Sequence, residues 1–434
     1  MDFFDLHQLM QPQGGLFGES TRFRTQGDEP RLAIRTIQLG AVSQVCPNVK
    51  NRRHFHGALA AAGVGLDDAE STLPALGEAL ERYCACIYSE EQFISATAIE
   101  LGSDALDLDT VARCSKTELS HPKCPLVVPD KKQPMQWVAG VSLLDGRRIY
   151  VPAALVYLFP AFAAQAERFW FPITTGCAAH VSYERALINA ILEVIERDAI
   201  SLIWLQKLAL PRIEIDHRPL WLAEQWESYQ SNVLDVEYFF FDGTTDMGIP
   251  TVYALQISPA NKRLTTLVAC STTMSAADAV TKVMRDMAAA RIAFRPNRPI
   301  PKSVEDFTDI FHGATYMARA EQAPAFDFLM GSGRTRRLSE MPTYDGAGDM
   351  DTLQRLLQRL RSKRLEVFAV DLTTDEAVRC GMRVVRVLIP ALQPLSFHYR
   401  ARYLGHPRLY RAPADMGYPV HEEEQLNAWP QPFA

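Results

Sequence analysis

A charged pentad, ExxER, occurs twice in this chain and has residue types and spacing that could hold a metal ion and phosphates. The first copy spans Glu78 to Arg82, and the second spans Glu193 to Arg197. Two carboxylates three residues apart on a helix repel each other, and the arginine that follows offsets this only in part. Two such helices that face each other would gather four carboxylates, which a hard divalent cation such as Mg²⁺ could neutralise. The two arginines would then be available as planar donors to phosphate.

Both pentads lie in segments with the apolar periodicity of an amphipathic helix. In the second segment the glutamates and Arg197 share one side, and apolar residues lie opposite. In the first segment Ser71 falls on the same side as the glutamates and Arg82. Pro74 is compatible with this helix only in its first turn. Two copies with apolar backs favour a shared site, while the alternative that ExxER is simply a solvated helix face stays open.

A third segment, residues 276–292, also has helical periodicity and carries an arginine on its apolar side. Arg291 falls beside Met284 and Met287, so its guanidinium group is predicted to lie away from water. A buried arginine needs a partner. Asp286 or an anionic ligand could serve as that partner.

The elements that position these residues alternate between strands and helices, which indicates an α/β or α+β fold. Helices are predicted from residue 66, at 183–207 and at 350–364, and strands at 32–46, at 236–242 and on either side of Asp145-Gly146. No shift in composition marks a linker, so we predict one catalytic domain, residues 61–434, after an N-terminal extension, residues 1–60. The domain ends in a proline-rich tail.

The composition of the 434 residues is that of an ordinary globular protein, with 47% hydrophobic and 22% charged residues. Lysines and arginines number 45 and aspartates and glutamates 51, and the net charge of −6 disfavours a nucleic-acid or membrane-surface binder. No apolar segment approaches the ~20 residues that span a bilayer, and the first residues do not have the pattern of a signal peptide. We therefore predict a cytoplasmic protein that binds neither nucleic acid nor membranes. Its oligomeric state, a homo-oligomer included, is left open.

Three segments and the last residues resemble motifs of the YcaO family, and most closely its azoline-forming cyclodehydratase branch. AGVGLDDAESTLPALGEALERYC is similar to the family's glycine-containing loop and first ExxER helix, and TTGCAAHVSYERALINAILEVIERDA is similar to its central motif. DAVTKVMRDMAAARI is similar to the family helix that carries an acidic residue, a Gln and an Arg. The ending LNAWPQPFA is similar to the proline-rich C terminus of the cyclodehydratases.

The resemblance implies a YcaO-type ATP-binding fold of mixed sheets and packed helices, in which ATP and Mg²⁺ lie between the two ExxER helices. It carries a metal-binding role over to the four pentad glutamates, Glu78, Glu81, Glu193 and Glu196. The nucleotide-binding residues that it implies are Ser71, Glu78, Arg82, Glu193, Glu196, Arg197 and Arg291. The chain has no GxxxxGK[ST] motif, and this fold would use ATP without one.

The cyclodehydratase branch implies a peptide substrate. A Cys, Ser or Thr side chain of a ribosomally made precursor peptide attacks the preceding carbonyl, ATP phosphorylates the resulting oxyanion, and loss of phosphate gives a thiazoline or oxazoline. Pro430, Pro432 and Ala434 of the tail are the predicted catalytic residues, and deleting the tail is predicted to stop cyclisation and leave folding intact. The expected partners are the precursor peptide, a separate E1-like protein that binds its leader, and often a flavin-dependent dehydrogenase.

The chain departs from the family pattern at several positions. Asp286 and Ala289 stand where the third motif usually has Glu and Gln. Ala178 and Val181 stand where some members have Ser and Asn, and Val64 replaces a basic residue of the first glycine loop. The substitutions at Ala289, Ala178 and Val181 keep open a non-catalytic scaffold that has retained the fold. A thioamide- or amidine-forming YcaO enzyme is a second alternative, since its nucleotide site would look alike.

Overall fold

The computed structural model describes residues 4–10, 15–25, 29–40, 60–160, 165–230, 236–296 and 298–433. In this part of the chain the strands are β1 (Thr21–Phe23), β2 (Ala33–Gln38), β3 (Ala60–Gly65), β4 (Phe93–Ala96), β5 (Met135–Ser142), β6 (Arg148–Pro152), β7 (Cys177–His180), β8 (Arg212–Glu214), β9 (Glu237–Asp242), β10 (Thr251–Ile257), β11 (Thr266–Thr272), β12 (Thr335–Arg337), β13 (Phe368–Asp371) and β14 (Arg383–Leu388). The helices are α1 (Phe4–His7), α2 (Asp68–Cys84), α3 (Ala98–Leu101), α4 (Lys116–Ser120), α5 (Tyr183–Leu205), α6 (Leu220–Gln230), α7 (Ala276–Ala293), α8 (Ile310–Met317), α9 (Asp327–Met330), α10 (Asp349–Ser362), α11 (Asp375–Arg379) and α12 (Arg408–Asp415).

The strands form three sheets. β1, β2 and β3 form an antiparallel sheet in that order, so two strands of the predicted N-terminal extension pair with the strand at its boundary. The second sheet has the order β11-β10-β9-β8-β12. The third has the order β4-β5-β13-β14-β7, with β6 paired to β5 in the hairpin predicted at Asp145-Gly146.

Three strands, β3, β7 and β11, each end the strand order of a different sheet. Each leads after two or three residues into a helix: β3 into α2, β7 into α5, and β11 into α7. In addition, α2 contacts β7, α5 contacts β11, and α7 contacts β3. The three strand–helix units therefore close into a ring, and the two pentads lie on two of its three helices.

A side chain caps the N terminus of each ring helix. Asp67, Ser182 and Ser275 each accept a hydrogen bond from the backbone N–H three residues later. These caps satisfy N–H groups that a helix leaves unpaired in its first turn. They also fix the residue at which each helix begins after its edge strand. The position of the charged residues along the helix, relative to that strand, is thereby fixed as well.

α5 is the central helix of the core. On one side, Ile188 and Ile191 belong to an apolar cluster that includes residues of α10 and β14. On the other side, Ile203 and Trp204 belong to a cluster that includes residues of β10 and β11. The helix that carries the second pentad is therefore packed between two apolar clusters, one on each side.

Most helix positions follow the sequence periodicity, but Pro74 does not. It lies in the second turn of α2, so the expectation of a first-turn position is wrong. Pro74 and Glu70 are both exposed, so the helix loses this one hydrogen bond at the protein surface and not in the core. Among the helices of the described ranges, none combines the length and the apolar character needed to cross a membrane.

Candidate functional site

The two pentads meet at strand β7. The Glu81 carboxylate of α2 accepts a hydrogen bond of 2.8 Å from the backbone N–H of Ala179. The Glu193 carboxylate of α5 accepts one of 3.0 Å from the N–H of Gly176, in the turn just before β7. β7 ends the strand order of its sheet, so these N–H groups lie on an open edge. The two carboxylates take the place of a neighbouring strand and bring both helices to the same point.

The turn before β7 requires a glycine. Gly176 has a φ of +83°, which L side chains rarely adopt. A Cβ atom at this position would also lie 2.4 Å from the carbonyl oxygen of Val387. The turn therefore packs directly on the backbone of β14, and this contact fixes the N–H that Glu193 binds.

The remaining pentad glutamates bind the other two edge strands. Glu78 accepts a hydrogen bond of 2.8 Å from the N–H of Ala62 in β3, and Glu196 accepts one of 2.9 Å from the N–H of Thr272 in β11. In each pentad the first glutamate thus binds the strand segment before its own helix, and the second binds the next strand of the ring. The backbones of all three sheets therefore fix the four carboxylates.

Each pentad arginine pairs with glutamates of its own helix. Arg82 Nη2 lies 2.6 Å from Glu78 Oε1. Arg197 lies 3.4 Å from Glu193 and 3.3 Å from Glu196. Both arginine side chains remain partly accessible to solvent, at 18% and 28% of their surface, so a ligand can reach them.

The third ring helix, α7, adds a lysine and an aspartate to the site. Lys282 Nζ lies 3.4 Å from Glu196 Oε2, and half of the lysine side chain is exposed. Asp286 is also exposed and follows one turn later. The sequence reasoning missed Lys282, because a single lysine on an amphipathic helix is typical of a solvated face. Its i,i+4 spacing from Asp286 is the signal that could have found it.

Three carboxylates of the site, those of Glu81, Glu193 and Asp286, have raised pKa values. Burial raises the pKa of Glu81 well above its usual range, and the nearby Glu193 carboxylate raises it further. Burial also raises the pKa of Glu193, and the Arg197 charge opposes that shift. The surrounding protein restricts the hydration of Asp286 and raises its pKa to about 6, although Lys282 opposes the shift. A cation that binds among these groups would favour their ionised forms.

The charges of the site do not balance. Five carboxylates, the pentad glutamates and Asp286, face three cations, Arg82, Arg197 and Lys282, which leaves two negative charges when all are ionised. In the part of the chain that the structure describes, no group of three or more His, Cys, Asp or Glu side chains is arranged to hold a metal ion. Mg²⁺ commonly uses one or two carboxylates and completes its coordination with waters and substrate phosphates. The residues thus fit a Mg²⁺–nucleotide pair rather than a closed metal cage.

Ser71 lies outside this site, contrary to the prediction. Its side chain is fully buried, and its hydroxyl donates to the carbonyl of Asp68 in the same helix. β3 covers this part of α2, and a Cβ atom at Gly63 would lie 2.0 Å from the carbonyl oxygen of Ser71. The periodicity of α2 predicted the direction of Ser71 around the helix, but not the strand that covers it.

Arg291 is buried, as predicted, with 5% of its surface exposed. Its Nη1 lies 3.4 Å from the hydroxyl of Ser258, which directly follows β10. This contact places Arg291 against the second sheet. A contact between Arg291 and nucleotide remains a prediction.

The proline-rich tail is packed against the protein. Pro430 and Pro432 are buried, and the carbonyl of Trp429 accepts a hydrogen bond of 3.2 Å from Trp204 Nε1 of α5. Phe433 belongs to the same apolar cluster as Trp204. Deleting the tail would remove this core residue, so the expectation that folding is unaffected does not hold. Ala434, the third predicted catalytic residue, lies outside the described residues.

The end of the tail leads toward the second pentad. The Phe433 ring meets the Tyr253 ring of β10 edge-on at 5.4 Å. Tyr253 lies opposite Cys270 on the neighbouring strand β11. Burial raises the pKa of the Cys270 thiol, and the Glu196 charge raises it further, so this thiol is a neighbour of the pentad. Phe433 therefore packs on the strand pair that carries Cys270, whose thiol is close enough to Glu196 to be influenced by its charge.

A buried ion-pair network anchors α5 just after the second pentad. Asp198 is fully buried and accepts hydrogen bonds of 3.0 and 2.7 Å from Arg408 of α12. Arg408 also donates to Asp246 at 3.1 and 2.7 Å. One guanidinium group thus serves two buried carboxylates in a bidentate manner. This network fixes the register of α5 and with it the position of Arg197.

The protein is a mixed α/β protein in which a helix follows the edge strand of each of three sheets. The acidic site between these helices carries two excess negative charges when all its groups are ionised, which suits a divalent cation and phosphates. The chain belongs to the YcaO family. Residues 62–393 match the sequence model of a protein family that is described as YcaO cyclodehydratase, ATP- and Mg²⁺-binding. This match confirms the family, the fold class and the two cofactors, ATP and Mg²⁺, expected from the sequence.

The fold is similar to those of solved proteins. A heterocyclase in complex with substrate and cofactor has a TM-score of 0.81 and 20% identity over 99% of this chain, which spans 56% of the heterocyclase. YcaO from Methanopyrus kandleri bound with AMPPCP and Mg²⁺ has a TM-score of 0.62 and 18% identity over 87% of this chain and 86% of that chain. An uncharacterized protein from Methanothermobacter thermautotrophicus is 27% identical over 357 residues, which are 77% of this chain and 82% of the relative. At these identities the solved structures establish the fold alone.

Proposed function

We propose that the protein is an ATP-dependent cyclodehydratase subunit that converts Cys, Ser or Thr residues of a ribosomally made precursor peptide to thiazolines or oxazolines. The observation that carries the proposal is the meeting of both pentads at β7, in a site with more carboxylates than cations. Membership in the cyclodehydratase family supports the proposal, as does the fold shared with a heterocyclase.

We assign the metal and the phosphates to different side chains of the site. The pentad glutamates Glu78, Glu81, Glu193 and Glu196 are the proposed source of Mg²⁺ ligands. One or two of these carboxylates would bind the ion directly, and waters and ATP phosphates would complete its coordination. Arg82, Arg197 and Lys282 would hold the phosphates of ATP. In the structure these three cations pair with pentad glutamates, so they become available to phosphate when the glutamates take up a metal instead.

The chain's own contribution to the reaction is to position groups and to neutralise charge. Bound ATP supplies the phosphoryl group that turns a backbone carbonyl oxygen into a leaving group. The nucleophile belongs to the substrate, so the protein need not provide one. The thiols of Cys177 and Cys270 agree with this division, because burial raises their pKa values and keeps them in the unreactive protonated form.

We also propose that the tail contributes to catalysis through Pro430 and Pro432. Support comes from its packing against α5, which carries the second pentad, and from the contact of Phe433 with Tyr253 of β10. The proposed partners are the precursor peptide, an E1-like protein that binds the leader, and a flavin-dependent dehydrogenase that oxidises the rings.

Reconstitution tests the proposed function. The purified protein is mixed with ATP, Mg²⁺ and the precursor peptide and E1-like protein encoded beside it, and the peptide is analysed by mass spectrometry. Cyclodehydration predicts that each ring costs the peptide one water and releases one phosphate. A thioamide would exchange oxygen for sulfur, and an amidine would join an amine to the carbonyl. A scaffold would leave both peptide and ATP unchanged, and each of these three results contradicts the proposal.

A further inference from the structure

A small cavity borders Arg197 on the side of α5 that faces β14. Its volume is about 50 Å³, and its walls are mainly apolar, with Leu155, Val194 and Ile389 among them. Four polar side chains also line it: Thr175, Trp170, Gln393 and Arg386, in addition to Arg197. The cavity therefore shares Arg197 with the pentad site.

Two polar atoms of the cavity-lining residues are buried and have no hydrogen-bond partner among the residues that the structure describes. They are the acceptor Gln393 Oε1 and the donor Trp170 Nε1. Gln393 is only 1% exposed. Its Nε2 donates to the carbonyls of Arg402 and Tyr403 at 3.4 and 3.3 Å, so the oxygen is the atom left over. Buried donors and acceptors without partners are costly, and a water or a bound ligand can complete their bonding.

Backbone strain at Tyr403 helps to hold this arrangement. Tyr403 has a φ of +58°, in the left-handed region that non-glycine residues seldom occupy. Its carbonyl accepts from Gln393, and its ring lies 5.3 Å from the Trp170 ring. Its hydroxyl accepts a hydrogen bond of 3.0 Å from the N–H of Phe171. One strained residue thus orients both Gln393 and Trp170, as is common where a site is pre-organised.

We propose that this cavity binds a backbone amide and a small side chain of the peptide substrate, next to the residue that reacts. The inference rests on the proposed function. The amide carbonyl would accept from Trp170 Nε1, and the amide N–H would donate to Gln393 Oε1. A peptide amide carries one acceptor and one donor on a planar unit, which matches the two unpartnered atoms. The apolar walls and the volume of about 50 Å³ admit a small side chain and exclude an aromatic ring.

The position of the cavity gives the amide a role in the reaction. Arg197 contacts the pentad glutamates Glu193 and Glu196 and also lines the cavity. An amide held there lies one side chain away from the proposed phosphate site. The cavity would therefore determine which residues are tolerated beside the reacting Cys, Ser or Thr.

Nuclear magnetic resonance of the indole N–H groups tests the inference. The chain has six tryptophans, and the Trp170→Phe variant identifies the signal of Trp170 in the ¹⁵N-tryptophan-labelled protein. The probes are N-acetylalanine methylamide and N-acetylphenylalanine methylamide. We expect the alanine probe to shift the Trp170 signal in a concentration-dependent manner and the phenylalanine probe to leave it in place. The exposed Trp221 of α6 is the internal control, and its signal should not move.

The Gln393→Met variant keeps the length of the side chain and removes the acceptor, together with the amide group that donates to the carbonyls of Arg402 and Tyr403. Thermal unfolding measures the cost of losing those two donor bonds. The variant should weaken binding of the alanine probe by about threefold to tenfold, the effect of one hydrogen bond. If neither probe shifts the Trp170 signal, the inference is overturned and the cavity is a water site. Equal shifts with both probes would also overturn it. The comparison of the two probes on the unaltered protein decides the matter even if this variant fails to fold.

The readout needs neither ATP nor turnover, so two failures can be told apart. Ring formation in the reconstituted system without a Trp170 shift contradicts this inference alone. A size-selective shift without ring formation contradicts the proposed cyclodehydratase function and leaves the amide-binding cavity standing.

Discussion

Glu81 and Glu193 belong to different helices but hold the same edge of the third sheet, one at Ala179 and the other at Gly176, with hydrogen bonds of 2.8 and 3.0 Å. The Glu193 charge is close enough to raise the pKa of Glu81. The backbone of β7 thus keeps two like charges near each other. Such an arrangement is stabilised when a cation binds between them.

Replacing Glu193 with Gln should lower ATP hydrolysis by at least about tenfold, because a proposed metal ligand loses its charge. The glutamine oxygen can still accept from Gly176, so the fold should persist. The measurement is the rate of hydrolysis as a function of Mg²⁺ concentration, with thermal unfolding as the check on folding. Glu91→Gln, at an exposed position, is the matched control. Unchanged turnover in Glu193→Gln would count against the site.

Asp286 should make stability depend on pH when Mg²⁺ is absent. Its pKa is about 6 in the folded protein and 3.8 in an unperturbed carboxyl group. A group whose pKa is raised by folding destabilises the folded state as pH rises from the lower to the higher value. Asp286→Asn should therefore melt at a higher temperature than the wild type above pH 6, and at a similar temperature below pH 3.8. A difference that is constant across this range would contradict the assignment.

Lys282→Met should affect metal and nucleotide in opposite directions. Without the ammonium group beside Glu196, Mg²⁺ alone should bind about two- to fivefold more tightly, the range expected for a half-exposed ion pair. ATP should bind more weakly, because a phosphate donor is gone. Titration calorimetry measures both affinities. Arg285→Met on the same helix, where the arginine pairs with Glu70, is the control that should leave both unchanged. Weaker Mg²⁺ binding in Lys282→Met would refute the competition between metal and lysine.

Arg408→Met should reduce the free energy of unfolding by about 3–5 kcal/mol, since it leaves a buried carboxylate without its cation. Asp198 is fully buried, and Asp246 nearly so. Urea unfolding measures the loss. Arg411→Met, an exposed position on the same helix, should change stability by less than about 0.5 kcal/mol. Equal effects of the two substitutions would show that the network does not anchor α5.

Point substitutions should separate the proposed catalytic role of the tail from its structural role. Pro432→Ala should reduce ring formation and lower the free energy of unfolding by only about 1 kcal/mol, because it frees the unfolded chain and removes few buried atoms. Phe433→Ala should also reduce the free energy of unfolding by about 3 kcal/mol, because it empties a place in the core. Pro419→Ala, at an exposed position, is the control. Wild-type ring formation by Pro432→Ala would remove that residue from the reaction.

The local elements around the site follow from the sequence, because periodicity depends on neighbouring residues. The pattern places α5, α7 and α10 within a residue or two of their observed bounds. The ring of edge strands does not follow, since it depends on pairings between strands that are far apart in the chain. For the same reason the pentad pattern indicated which glutamates to consider but not the backbone groups that hold them.

Ser71 and Lys282 show which information the helical periodicity of the sequence does not contain. Ser71 has a suitable direction around α2, but β3 passes over it at Gly63 and buries it. Lys282 looks like a solvated residue until α7 is placed beside Glu196. In both cases the deciding information is which element lies next to the helix, and helical periodicity does not contain it.

The pairing of pentad carboxylates with backbone N–H groups links occupancy of the site to the mobility of the sheets. If a ligand draws the carboxylates of Glu81 and Glu193 toward itself, their hydrogen bonds to β7 and the turn before it weaken. The exchange rates of the amide hydrogens of Ala179 and Gly176 then report whether the site is occupied. Deuterium uptake along this one strand would then register an occupied site without any measurement of turnover.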